Sequence, residues 1–193
     1  MFSSKLQDYK IILASGSPRR QQFFKDLGLD FEIRLKEIDE VYPPNLQSHE
    51  ITNYLSELKA QAFQGSLAEN EILVTSDTIV WHENQALGKP KDAKDAFLML
   101  KKLSNSTHQV ITSVSFSTQN KITTLHDYTE VAFSELTDEM IHFYLNNFQP
   151  FDKAGSYGIQ DWIGLVGVKS IQGSYNNVMG LPTHLLFDFF RKF

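Results

Sequence analysis

From His108 to Ser134 the chain alternates apolar and polar residues on either side of Thr118-Gln119-Asn120, the pattern of a long two-stranded hairpin. Helical patterns lie before and after it, and mixed strands and helices with one long hairpin indicate an α/β or α+β architecture around a mixed sheet. The strand candidates upstream are the apolar run Ile11–Leu13, the alternating "LDFEIRLKEI", and "EILVTSDTIVW", a buried-looking strand with polar residues in its middle. Downstream, "WIGLVGVKSI" also reads as a strand. "DEVYPPNLQSHE" and "QPFDKAGSYGIQD" read as loops.

The helices announce themselves by start signals and spacing. Ser17-Pro18 reads as an N-cap followed by proline at the first helical position, with the helix ending near Gly28. Ile51, Tyr54, Leu55, Leu58 and Ala62 share a helical face, and Lys59 falls at its border. Pro90 and Asp92 open the amphipathic "DAKDAFLMLKKL". Thr137 caps a helix through about Asn147, with Leu136 and Ile141 spaced as a hydrophobic staple. A last helix follows Leu181-Pro182.

Length and charge bound the function. At 193 residues the chain suits one domain, taken here as 1–193, divisible into two lobes. A net charge of −5 argues against a general nucleic-acid coat, so any anion site must be a local cluster. The absence of cysteine excludes disulfides, thiolate zinc and a cysteine nucleophile. No apolar stretch suits a membrane span and the N-terminus has no signal-peptide core, so a cytoplasmic location is expected.

Arg19 and Arg20 pose an electrostatic problem. They sit in the first turn of a helix, where the dipole is positive and each cation costs about 0.3–1 kcal/mol. One reading is a phosphate cradle made by Ser15, Gly16, Ser17, the helix N–H groups and the guanidinium forks. The other is a capped helix with solvated arginines. On the first reading, Arg20 is dispensable for the stability of the ligand-free fold. Asp77 poses a second problem, because a carboxylate in an apolar strand is costly unless it is paired or holds a metal. Glu37, Asp39 and Glu40 form a second acidic stretch, and Glu40 with Asp77 would supply hard oxygen ligands for Mg²⁺.

"LGKP" is not a Walker A motif, since Glu83 replaces its first glycine and proline its Ser/Thr. Lys89 remains either a phosphate contact or a solvated lysine. The six histidines lack ligand spacing, and no G-x-S-x-G elbow occurs. "DKAGSYGIQ" and "GSYNNVMGLP" are plain turns or carriers of base-reading amides, Gln160 offering both donor and acceptor.

Taken in order, "ILASGSPRRQQFF", "EIDE", "LSELKAQA", "VTSDTIV", "LGKPKDAKDAFLMLKKLSNSTHQVIT", "DKAGSYGIQ" and "GSYNNVMGLP" resemble the Maf family of nucleoside triphosphate pyrophosphatases, almost end to end. The resemblance implies a Maf/ITPase-like α/β fold, a mixed β-sheet flanked by helices with two lobes around a central cleft. It implies divalent-metal-dependent hydrolysis, with Mg²⁺ or Mn²⁺, of a nucleoside triphosphate to monophosphate and pyrophosphate. By motif position Asp77 is the proton acceptor, and Arg20, Glu40, Lys59 and Lys89 line the phosphate and metal site. Homodimers are common in the family. Arg19, Thr78 and Gln160 match members that act on dTTP and UTP; members preferring 7-methyl-GTP tend towards tryptophan, glutamine and glutamate there. Asp161 departs from the glycine usual after the glutamine. A 7-methyl-GTP pyrophosphatase and a non-catalytic nucleotide-binding regulator of cell division are the competing readings.

Overall fold

The computed structural model describes residues 2–193. A 3₁₀ turn (Ser4–Asp8) precedes β1 (Lys10–Leu13), α1 (Pro18–Asp26) and β2 (Phe31–Ile33). After an irregular stretch come α2 (His49–Gln61), β3 (Glu71–His82), β4 (Gln85–Leu87) and α3 (Ala93–Leu103). The hairpin strands are β5 (Thr107–Ser117) and β6 (Ile122–Phe133), followed by α4 (Asp138–Phe148) and a 3₁₀ turn at Ala154–Ser156. The chain closes with α5 (Trp162–Gly167), β7 (Val168–Gln172), α6 (Tyr175–Val178) and α7 (Thr183–Lys192). The sheet runs β2-β1-β3-β5-β6-β7, with β4 paired to β3. β1 pairs in parallel with β2 and β3, whereas β3–β4 and β6–β7 are antiparallel, so the α/β class with a mixed sheet holds.

Two compact units divide the chain. The first takes residues up to Asp77, Thr112–Asp127 and Gly180–Phe193; the second takes Thr78–Ile111 and Tyr128–Met179. In the first, successive residues of β1 and β3 enter different clusters. Leu13, Ile72 and Val74 pack with Phe24, Leu186 and Phe190, while Ile12 and Leu73 pack with Ala60 and Phe63. Both faces of these parallel strands are therefore covered, which is why Ile11–Leu13 and Ile72–Val74 read as unbroken apolar runs. In the second unit, Leu136 and Ile141 join Leu100, Tyr144 and Ile163 in one core, as the staple spacing predicts. Asp92 and Thr137 cap α3 and α4 by accepting from Asp95 N and Met140 N. Among the described residues no helix is long and apolar enough to cross a membrane.

Three expectations need correction. β2 stops at Ile33 because its partner β1 ends at Leu13, and Leu35 beyond it is 60% exposed. Trp162–Gly167 is a helix, not a strand; a short apolar run carries too little periodicity to separate the two. The buried face of α2 is Ile51, Thr52, Leu55, Ser56 and Ala60, leaving Tyr54 37% exposed. Its hydroxyls replace apolar contacts: Thr52 Oγ1 meets Ser113 Oγ at 2.6 Å and Ser56 Oγ meets Ser115 Oγ at 2.8 Å. Thr75 Oγ1 donates to the Ser56 carbonyl at 2.7 Å.

Candidate active site

In the first unit, β1 runs into Ser15-Gly16-Ser17 and this turn delivers α1. Ser15 is buried, its Oγ accepting the Ser17 N–H at 3.2 Å and its carbonyl accepting from Gln21 Nε2 at 3.2 Å. Ser17 occupies the N-cap position, but its side chain makes no cap bond, so the turn is held by Ser15 rather than by the expected cap. Arg19 is half-buried beside it. Arg20 is bonded to main chain distant in sequence: Nε donates to the Gly180 carbonyl at 2.8 Å and a terminal nitrogen to the Ser76 carbonyl at 3.0 Å. These bonds offset the unfavourable helix end and argue against a free fold indifferent to Arg20.

Lys59 lies one helical turn past the hydroxyls of α2. Its Nζ sits 2.6 Å from Asp77 Oδ1 and 3.1 Å from Glu40 Oε1, and donates to the Ser76 carbonyl at 3.5 Å. The Lys59 and Asp77 side chains are only 16% and 8% exposed. Glu40 reaches this point on an irregular stretch that is pinned on its way. Arg34 grips Glu71 through two bonds of 3.0 and 2.9 Å, and Lys36 donates to the Ala62 carbonyl at 2.8 Å while lying over the Phe63 ring. Sequence reading missed the Arg34–Glu71 pair, since nothing local relates two residues 37 apart.

The electrostatics follow from burial. Loss of solvent raises the Asp77 pKa, opposed by Lys59 and Arg20. Burial likewise lowers that of Arg20, with Asp77 opposing. Burial thus raises the basicity of Asp77, with Glu40 adding to the rise and the two cations opposing it. Glu40 and Asp77 both pair with the Lys59 ammonium, which occupies the point between them; hard carboxylate oxygens are the kind of donor that Mg²⁺ and Mn²⁺ take. Among the described residues no group of three or more His, Asp or Glu forms a metal cluster.

Thr78, Lys89 and Gln160 belong to the second unit. Thr78 is half-buried on β3 and Lys89 is exposed, following Gly88, whose carbonyl accepts the Gly155 N–H at 3.0 Å. Gly155 has φ 66°, and a Cβ there would lie 2.6 Å from a Val80 methyl, so only glycine fits this approach. The stretches carrying Lys89 and Gln160 are thereby joined. The Tyr157 hydroxyl lies 2.7 Å from His108 Nε2, and burial lowers the His108 pKa to about 3, so this ring is neutral at physiological pH. Gln160 is exposed, between buried Ile159 and half-buried Asp161. Asp161, the departure in the motif, accepts from the Tyr144 hydroxyl at 2.7 Å and lies 3.9 Å from Lys153 Nζ. Neither Tyr144 nor Lys153 was singled out from sequence; Tyr144 sits on an apolar helical face where only its hydroxyl distinguishes it.

The family model described as Maf-like protein matches residues 10–193. The chain belongs to the Maf family. Similar relatives span this Maf protein nearly end to end. The dTTP/UTP pyrophosphatase of Flavobacterium johnsoniae is 64% identical over 98% of this chain and 97% of its own. That of Flavobacterium psychrophilum is 64% identical over 97% and 96%, and that of Bacteroides fragilis 48% over 95% and 96%. Among solved structures, the Staphylococcus aureus Ham1 protein overlaps 67% of this chain and 72% of its own at TM-score 0.44 and 16% identity.

Proposed function

We propose that this Maf protein hydrolyses dTTP and UTP to the nucleoside monophosphate and pyrophosphate. The observation that carries the reading is the Lys59 ammonium held between Asp77 and Glu40 at 2.6 and 3.1 Å, with Arg20 bonded to the adjacent Ser76 carbonyl. A protein that only binds nucleotide has little use for a buried carboxylate of raised basicity. The dTTP/UTP pyrophosphatases among its relatives support the choice of pyrimidine nucleotides.

In this mechanism Asp77 accepts a proton from the attacking water, its basicity raised by burial. Lys59 holds that carboxylate ionised and in place before substrate enters. The Ser15-Gly16-Ser17 turn and the positive end of α1 bind phosphate oxygens, and Arg19 and Arg20 add fixed positive charge against the leaving pyrophosphate. Glu40 and Asp77 would hold a divalent cation, which neutralises phosphate charge and acidifies bound water. The resemblance to the family gives Lys89 to the phosphates and matches Thr78 and Gln160 to members acting on dTTP and UTP, the Gln160 amide having the donor and acceptor that a uracil or thymine edge requires.

The test is pyrophosphate release with Mg²⁺ or Mn²⁺ across UTP, dTTP, CTP, ATP, GTP and 7-methyl-GTP. UTP and dTTP are expected to lead, and chelation to stop turnover. Fastest hydrolysis of 7-methyl-GTP overturns the pyrimidine assignment, and saturable binding without turnover makes the protein a regulator.

A further inference from the structure

We infer that Lys59 is an internal stand-in for the divalent cation: its ammonium keeps Glu40 and Asp77 occupied until a triphosphate draws it away. This rests on the reading of Glu40 and Asp77 as the metal ligands of a nucleotide pyrophosphatase.

Three acceptors surround that ammonium. Asp77 Oδ1 lies 2.6 Å from it, Glu40 Oε1 3.1 Å and the Ser76 carbonyl 3.5 Å. An ammonium has three donors, so each has an acceptor here. A cation shared by the two carboxylates has to stand where this nitrogen stands. The charges agree with the geometry. Asp77 and Glu40 are matched by Lys59 and by Arg20, which interacts electrostatically with both carboxylates. Two negative groups are therefore balanced by two positive ones before any ligand arrives, and Arg19 adds a further positive charge beside Arg20. A divalent ion entering alone meets engaged oxygens and surplus positive charge. The same ion carried by a triphosphate arrives with the negative charge that restores the balance.

Of the groups at this point, the lysine is the one built to leave. Asp77 is short, belongs to β3 and has a side chain only 8% exposed. The Lys59 ammonium ends a flexible four-carbon stem on α2, and its rotatable donors suit phosphate oxygens as well as carboxylates. It exchanges one set of anionic oxygens for another. The buried carboxylate is thus paired both before and after substrate enters, and is never left bare.

The experiment measures binding of Mn²⁺ alone to the purified full chain, by water proton relaxation, without nucleotide. Lys59→Met removes the ammonium and keeps an apolar stem; it is expected to tighten Mn²⁺ binding at least about tenfold over wild type. Lys59→Arg keeps a cation and should bind Mn²⁺ as weakly as wild type. Adding Glu40→Gln to Lys59→Met should cancel the gain, which puts the ion on the carboxylate pair. Should Lys59→Met unfold under assay conditions, the readout becomes Tm: Mn²⁺ is expected to raise it more in the variant than in wild type, and equal shifts overturn the inference. In wild type, α,β-imido-UTP, which resists cleavage, is expected to bring Mn²⁺ onto the protein. Equal Mn²⁺ affinity in nucleotide-free wild type and Lys59→Met, or weaker binding in the variant, overturns the stand-in while leaving the activity untouched. No protein-bound Mn²⁺ in either chain, with or without the analogue, overturns Glu40 and Asp77 as metal ligands, and the inference with them.

Discussion

In the first unit the candidate groups are held by opposite charge: Lys59 lies between Asp77 and Glu40 at 2.6 and 3.1 Å. In the second unit, the loop bearing Gln160 is held by two tyrosine hydroxyls, Tyr157 on His108 and Tyr144 on Gly158 and Asp161. The contrast separates two tasks. Buried ions compensate one another only as a set, so removing one leaves its partner exposed to the full cost of desolvation, and an entering polyanion redistributes the whole set. Directional bonds from a buried hydroxyl hold geometry without storing charge, which suits reading the edge of a base. On the proposed function, charge chemistry and base recognition are built from different materials.

The largest expected effect attacks the charged side. Asp77→Asn keeps the shape and removes the basicity, and pyrophosphate release should fall by about 10²–10⁴-fold. A rate within tenfold of wild type breaks the assignment of proton acceptance to this carboxylate.

The next tests whether the second unit's anchor is neutral. The folded pKa of His108 lies near 3, below its usual 6.5, so the unfolded chain binds a proton that the folded chain refuses. Stability is therefore full above pH 6.5 and lost as pH falls toward 3, by about 1.4 kcal/mol per pH unit at most. Melting of wild type against His108→Gln from pH 7 to pH 4.5 should show the steeper loss in wild type. Parallel curves would place a charged imidazole in the anchor.

Arg20→Ala sharpens the comparison from the charged side. It removes the Arg20 bonds to the Gly180 and Ser76 carbonyls, the latter keeping its longer bond from Lys59, a loss of about 1–3 kcal/mol. For a chain of this size each kcal/mol is worth about 2–4 °C in Tm. Both the ligand-free Tm and pyrophosphate release should drop; an unchanged Tm would return Arg20 to a purely ligand-facing role. The smallest effect is Thr52→Val, which removes the bond to Ser113 while Ser113 keeps Asn53 as acceptor. A loss of about 0.5–1.5 kcal/mol in denaturant unfolding, with UTP turnover unchanged, is expected. Lost turnover would show that this hydroxyl contact serves Lys59 further along α2.

What the sequence determined by itself is whatever a local pattern can encode. The caps at Asp92 and Thr137, the staple of Leu136 and Ile141, the hairpin about Thr118–Asn120 and the cost of Asp77 in an apolar strand are written within a few residues of one another. So is the placing of Lys59 at the edge of the α2 stripe. The two ends of α2 show the limit. Its apolar spacing located the helix but rotated the buried face wrongly, because Thr52 and Ser56 are buried by hydroxyls waiting on β5, roughly 60 residues away. The length of β2 depended on where β1 stops, and the helix at Trp162–Gly167 on packing that a short apolar run does not specify. Arg20 is the clearest case. Its local signal is a cation at the wrong end of a helix, and only the fold brings the Gly180 carbonyl, 160 residues on, to within 2.8 Å of its Nε. Periodicity reports whether a side chain faces water or core, whereas a hydrogen bond depends on where its distant partner stands, and that is decided when the chain folds.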